Sequence, residues 1–411
     1  MVDLVGGGAD LGQTGNAIAT LGKFAAAGDL TLATTQALSA AATVSAANAT
    51  LRSSAASASV IAISSADFSV AAGGTIALAA SNGAGGIVLT GKLDSSATGV
   101  LDLSAGSAGV NQSAGSVTAG TLRSTGGIGG ALLLAQANVI NGLGPLAVNG
   151  AITLASTTSL AVDAPVSAGA GSTLSISAAG MSFTGTGALT ATGGTIEIGP
   201  NNGAASFGLG TAPGDFALGD LTNITATLVR IGQASSAGNA NKAASIVLSG
   251  TVAPNATTLE LISSGTISQS TGGLSIPVLT ATAASLDIAQ GGNTIGALGP
   301  FAVTGDLALA SDGALVVGGT LSASSISLRS FAASSKALDI SGVLNTAAGG
   351  TITLAAANGA GGIALSGKLD ASATGTVDLS AGSGGINQSA GSITAGTLRS
   401  GSGSTGAVAL D

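Results

Sequence analysis

The 411-residue sequence contains no cysteine, histidine, tryptophan or tyrosine, and only seven phenylalanines. Each absence removes a class of function. Without cysteine there is neither a disulfide framework nor a thiol nucleophile. Without cysteine and histidine there is no Cys/His zinc site and no imidazole general base. Without tryptophan and tyrosine, binding of a sugar by ring stacking is weakened, and glycan contact would rest on Ser, Thr and Asn. Charge is scarce too, at 7% of residues against roughly 25% in ordinary soluble domains. Ten basic and eighteen acidic residues give a net charge of −8, so a nucleic-acid partner is not expected.

Scarce charge and a mean hydropathy of +0.61 raise the question of a membrane. No charged residue lies between Arg123 and Asp163, or between Asp163 and Glu197. Yet Gly142, Gly144, Pro145, Asn149, Gly150 and many hydroxyl residues interrupt these stretches. Neither supplies the ~20 predominantly apolar residues of a spanning helix. The opening Met1-Val2-Asp3-Leu4-Val5 lacks the basic and then apolar order of a secretory signal. The expectation is a protein that stays inside, or a piece of a longer exported chain.

What the sequence does have is repetition. Residues 71–124 recur at 347–400 with an offset of 276, no gaps and 44 identities in 54 positions. A second motif occurs three times, as NAIATLGKFAAAGDLTLA at 16–33, NVINGLGPLAVNGAITLA at 138–155 and NTIGALGPFAVTGDLALA at 293–310. A looser relative of the first block lies at 245–273. Within these units, apolar residues alternate with small or polar ones. Leu146/Val148, Ile152/Leu154, Leu160/Val162, Leu174/Ile176, Met181/Phe183 and Ile196/Ile198 follow the two-residue period of half-buried strands. Gly, Ser and Asn turns separate the strands every 6–9 residues. Every third strand restores the pattern after ~20–22 residues, the period of a three-stranded solenoid coil. Helices are ruled out by the i, i+2 spacing and by the frequency of glycine, each ~1 kcal/mol worse than alanine in a helix.

The predicted fold is therefore all-β, a right-handed parallel β-helix with three short strands per coil. It runs as a single continuous solenoid over 1–411, with 199–244 as irregular coils, inserted loops or a ligand-contacting protrusion. Glycine serves the sharp turns, and small inward residues fill a narrow interior.

Three stretches carry a resemblance. They are LGPLAVNGAITLA with its counterparts at 21–33 and 298–310, GVNQSAGSVTAGTLRS at 109–124 with GINQSAGSITAGTLRS at 385–400, and FALGDLTNITATLVRIG at 216–232 followed by Ile267-Ser268-Gln269-Ser270. These stretches resemble the β-strand repeats of filamentous-haemagglutinin-type surface proteins, exported by two-partner secretion or as autotransporter passengers. The resemblance implies a secreted or cell-surface fibre for adhesion, aggregation or matrix formation. Its partners would be a host or neighbouring cell surface, glycan or matrix, with an outer-membrane translocator during export. The family's secretion domain and translocator barrel are not visible in the sequence. Absence of cysteine suits a chain that crosses a pore unfolded. Neither Val5-Gly-Gly-Gly nor the final Gly-Ala-Val-Ala-Leu-Asp looks like a polar cap, so a self-assembling filament or sheath subunit, associating end to end or laterally, is the alternative.

A β-helix can also carry a polysaccharide-active site, which would need two facing carboxylates. The repeat-related Asp94 and Asp102, with Asp370 and Asp378, are the nearest approach, each pair beside a base, Lys92 or Lys368. Gly-Lys-Leu-Asp places Lys92 and Asp94 on one outward strand face, where a surface ion pair is the simpler expectation. No catalytic, cofactor or metal residue is assigned. Gly-Gly-Gly-Ala-Asp at 6–10, the nearest match to a calcium-binding glycine repeat, does not recur. Thr190/Thr192 and Thr280/Thr282 do not recur at coil spacing as an ice-binding ladder would. Five Asn-x-Ser/Thr sequons are possible glycosylation positions, at Asn48, Asn111, Asn223, Asn255 and Asn387. Asn111 and Asn387, at equivalent repeat positions, could equally form an inward ladder or a turn.

Overall fold

A computed structural model describes residues 7–65, 67–238 and 240–410. The opening Met1–Gly6, including the first glycine of the 6–10 run, lies outside the described residues, as does Asp411. The chain is a parallel β-solenoid of about 18 turns, as the alternation predicts. It divides into two compact units, one of 1–202 with 234–241, the other of 203–233 with 242–411.

In the first unit each strand pairs in parallel with its counterpart one coil on. One inward column runs Leu38, Ile61, Ile87, Val110, Leu132, Ile152, Leu174, Ile196, each in register with the next. All eight are at most 2% exposed. Steps along this column are 20 to 26 residues, wider than the predicted ~20–22, because turn length varies while strand register is kept. Three strands make a coil: Thr75–Ala80 pairs with Val100–Ser104, Gly86–Leu89 with Gly109–Gln112, and Lys92–Asp94 with the start of Ser116–Ile128.

The second unit follows the same rule. Its column Ile246, Ile267, Leu286, Leu307, Ile326, Ile352, Val377 is buried throughout. Burial of an aliphatic side chain contributes about 1.5–3 kcal/mol, so each coil is stabilised mainly by the coils on either side. Of the alternating pairs expected inside, only Phe183 is merely half-buried.

The repeats fold alike. Ser156 Oγ accepts from Ile140 N–H at 3.1 Å and donates to Ile140 O at 3.0 Å. Ser311 does the same to Ile295, and Thr34 to Ile18. One inward hydroxyl thereby satisfies both backbone groups where the coil bends away from its neighbour.

Segment 199–244 is not simply loop. In the second unit, Phe216–Ala217 pairs with Ser206–Gly210, and the rings of Phe207 and Phe216 stack at 4.0 Å. Ser206–Gly210 also pairs with Ser245–Ser249, and Ile224–Ile231, lying between them in sequence, pairs with Asn255–Ile262, so regular ladder strands run through the segment. A short 3-10 turn, Ser235–Ala237, belongs to the first unit.

Candidate contact surfaces

The four repeat-related aspartates do not form facing pairs. Leu93 points inward, so Lys92 and Asp94 share the outward face of their strand, with Lys92 Nζ 3.0 Å from Asp94 Oδ2 and 3.3 Å from Asp67 Oδ1. Asp94, chiefly, raises the Lys92 pKa above its ordinary value. In the second copy Lys368 Nζ lies 2.7 Å from Asp370 Oδ2. Lys368, followed by the N–H of Ser372, lowers the Asp370 pKa.

Asp102 and Asp378 sit on a different strand of the coil, Val100–Ser104 and Thr376–Ser380. Both are 8% exposed although they point outward, because the next coil covers them. Arg123 Nε donates to Asp102 at 3.0 Å, and Thr125 adds its backbone N–H and hydroxyl. Arg399 Nε donates to Asp378 at 2.7 Å, and Gly401 N–H at 2.8 Å. The Gly401 N–H, joined by Arg399, holds the Asp378 pKa low against the opposing effect of burial. A general acid needs a raised pKa; the surroundings of Asp378 act in the other direction. The arginines were not singled out from sequence, although each lies 21 residues, one coil, beyond its aspartate.

The sequons fall into different settings. Asn111 and Asn387 form neither an inward ladder nor a turn: both are exposed, outward positions within strands, paired with Val88 and Ala364. Alternation places their neighbours Gln112 and Gln388 inside instead, at 3% and 6% exposure. The Asn48 side chain is occupied, donating to Asp29 Oδ1 and accepting from Thr75 N–H, both at 2.7 Å. Asn223 is half-buried just before strand Ile224–Ile231, and exposed Asn255 donates to Thr225 Oγ1 at 3.2 Å.

Two depressions have distinct linings. In the second unit a groove of about 500 Å³ is edged by Thr258, Glu260, Thr280, Thr282 and Thr320, with Glu260 held 2.7 Å from Arg230 Nε. The coil neighbours of Thr280 and Thr282 there are Glu260 and Ile262, so no threonine ladder forms. In the first unit a cleft of about 430 Å³ lies where the Ser235–Ala237 turn meets the sheet, and its lining carries no charge and no aromatic ring. Among the described residues no cluster of three or more metal-ligating side chains occurs, and no helix is long and apolar enough to cross a membrane.

Comparison with known proteins yields no matching family model, curated protein or solved structure.

Proposed function

We propose that this chain is a non-enzymatic extracellular structural and adhesive protein, a segment of a filamentous-haemagglutinin-like adhesin. It presents stacked coils whose outward side chains contact a cell surface, glycan or matrix. One observation supports this most: the four carboxylates that could have served chemistry are held by cations and backbone N–H groups in both copies of the repeated block. The repeated block builds that arrangement twice, as scaffolding would require and a single active centre would not. Export through an outer-membrane translocator and residence at a bacterial surface follow from the same reading.

Beads coated with the 411-residue chain should bind cells or matrix more strongly than beads coated with an unrelated solenoid. Antibody to the chain should label intact source cells. Absence of both effects would sink the adhesive reading. Concentration-dependent growth of the sedimenting species, with no adhesion, would favour the self-assembling filament instead.

A further inference from the structure

The uncharged cleft of the first unit carries three buried polar atoms without hydrogen-bond partners: Ser177 Oγ, Ser236 Oγ and Asn201 Oδ1. Ser177 is 1% exposed and Ser236 7%. Only five such atoms occur among the described side chains, and three of them line this one cleft.

The cleft is built from two parts held rigidly together. Its floor is sheet, where Ala155 pairs with Ser177. Its wall is the turn Ser235–Ala237, pinned by Ser235 N–H to Glu197 Oε2 at 2.8 Å and Ser236 N–H to Ser175 Oγ at 2.9 Å. On the far side of the turn, Asn241 Nδ2 donates to Asn201 O at 2.6 Å. Glu197, engaged by Ser235, does not line the cleft.

The unpartnered atoms define the chemistry of a ligand. Serine hydroxyls can donate or accept, whereas Asn201 Oδ1 can only accept. A ligand hydroxyl meets both demands, donating to Asn201 and accepting from a serine. An anion cannot donate to Asn201 and finds no cation in the lining. A cation finds no carboxylate there. Gln136, Thr157 and Asn241 add further amides and a hydroxyl at the rim, and the volume lies within the ~300–1,000 Å³ range of small-molecule sites.

We propose that this cleft binds a neutral polyhydroxylated molecule of saccharide size, its hydroxyl groups bridging Ser177, Ser236 and Asn201. The cleft's chemistry is the same whether or not the chain is adhesive.

Glycerol, galactose, N-acetylglucosamine and lactose should be titrated into the full 411-residue chain and followed by calorimetry and by NMR. At least one sugar should bind, and Ser177→Ala and Ser236→Ala should each weaken it by about tenfold or more, whereas exposed Ser57→Ala should not. Removing a buried hydroxyl that lacks a partner should not lower the unfolding midpoint, so lost binding cannot be mistaken for misfolding. The bound sugar should also slow tryptic cleavage after Lys242, the residue that follows Asn241 of the lining. Failure of every probe to bind, binding that ignores both cleft substitutions, or equal weakening by Ser57→Ala would overturn the proposal. Loss of adhesion with the cleft still binding would leave it standing.

Discussion

The side-chain amides of Gln112 and Asn138 bond reciprocally inside the solenoid, Gln112 Nε2 to Asn138 Oδ1 at 2.8 Å and Asn138 Nδ2 to Gln112 Oε1 at 2.9 Å. Gln269 and Asn293 repeat the arrangement at 2.9 and 3.0 Å. The asparagine does more than pair. Its Oδ1 also accepts from a backbone N–H, of Val117 in the first case and Leu274 in the second. Each glutamine stacks on an inward leucine one coil back, being in register with Leu89 or Leu248. The pair thus lets polar side chains enter an apolar column without leaving an unsatisfied group.

Asn138→Ala would orphan the Gln112 amide and the Val117 N–H together. At ~1–3 kcal/mol per buried unsatisfied group, a loss of about 2–5 kcal/mol is expected. Denaturant unfolding followed by circular dichroism measures it, and faster hydrogen exchange at Val117 localises it. The double variant Gln112→Leu/Asn138→Leu should cost less than the sum of its single variants. Strict additivity would show that the two amides are not coupled.

Acid should weaken the coils around Asp378. Its folded pKa is lowered, so its contribution is present above the unfolded carboxylate value of ~3.9 and is lost as pH falls through the lower folded value. Asp215, lowered by the N–H and hydroxyl of Ser206, acts in the same direction. Asp378→Asn should therefore flatten the stability profile below about pH 4. An unchanged profile would remove Asp378 from the account. Lys92, whose pKa is raised, has the opposite sign: its contribution is present below ~10.4 and is lost as pH climbs through the raised value.

Gly99 and Gly375 allow the backbone to approach too closely for any side chain. An added Cβ would lie 1.7 Å from Ser95 O at Gly99, and 1.9 Å from Ala371 O at Gly375. Alanine at either position should destabilise by about 3 kcal/mol or more through backbone displacement. Gly83→Ala, which meets no atom within 4 Å, should stay within about 0.5 kcal/mol. Similar midpoints for the two substitutions would contradict this reading.

Ser96 and Ser372 hold left-handed backbone angles, with φ of 67° and 61°. Their N–H groups are met by Asp94 Oδ1 at 2.8 Å and Asp370 Oδ1 at 3.1 Å. A β-branched replacement tolerates this region poorly, so Ser96→Val should cost about 1–3 kcal/mol, and Ser96→Gly should be markedly milder. Thermal unfolding of the two variants side by side tests the order.

The architecture was legible because its signal is local and repeated. Alternation at Ile152/Leu154 or Leu174/Ile176 dictates which side faces inward, and any strand so patterned stacks most favourably on a copy of itself. The ion pair Lys92–Asp94 was legible for the same reason, two residues apart on one strand face. Even the amide pair had a sequence trace: the glutamine of Asn-Gln-Ser or Ser-Gln-Ser precedes the asparagine of the Asn-x-Ile-led motif by 26 or 24 residues respectively.

Other features belong to the tertiary structure alone. Coil length varies from turn to turn, so sequence separation does not say that Arg123 and Thr125 will cover Asp102. The cleft lies furthest from any local rule. Ser236 meets Ser175 at a separation of 61 residues along the chain, so only the path of the chain between them could bring the two together. Short-range periodicity determined the stack by itself, because each coil repeats its neighbour's chemistry. The surface depended on where the irregular segment returned, because burial there is set by packing between residues that share no period.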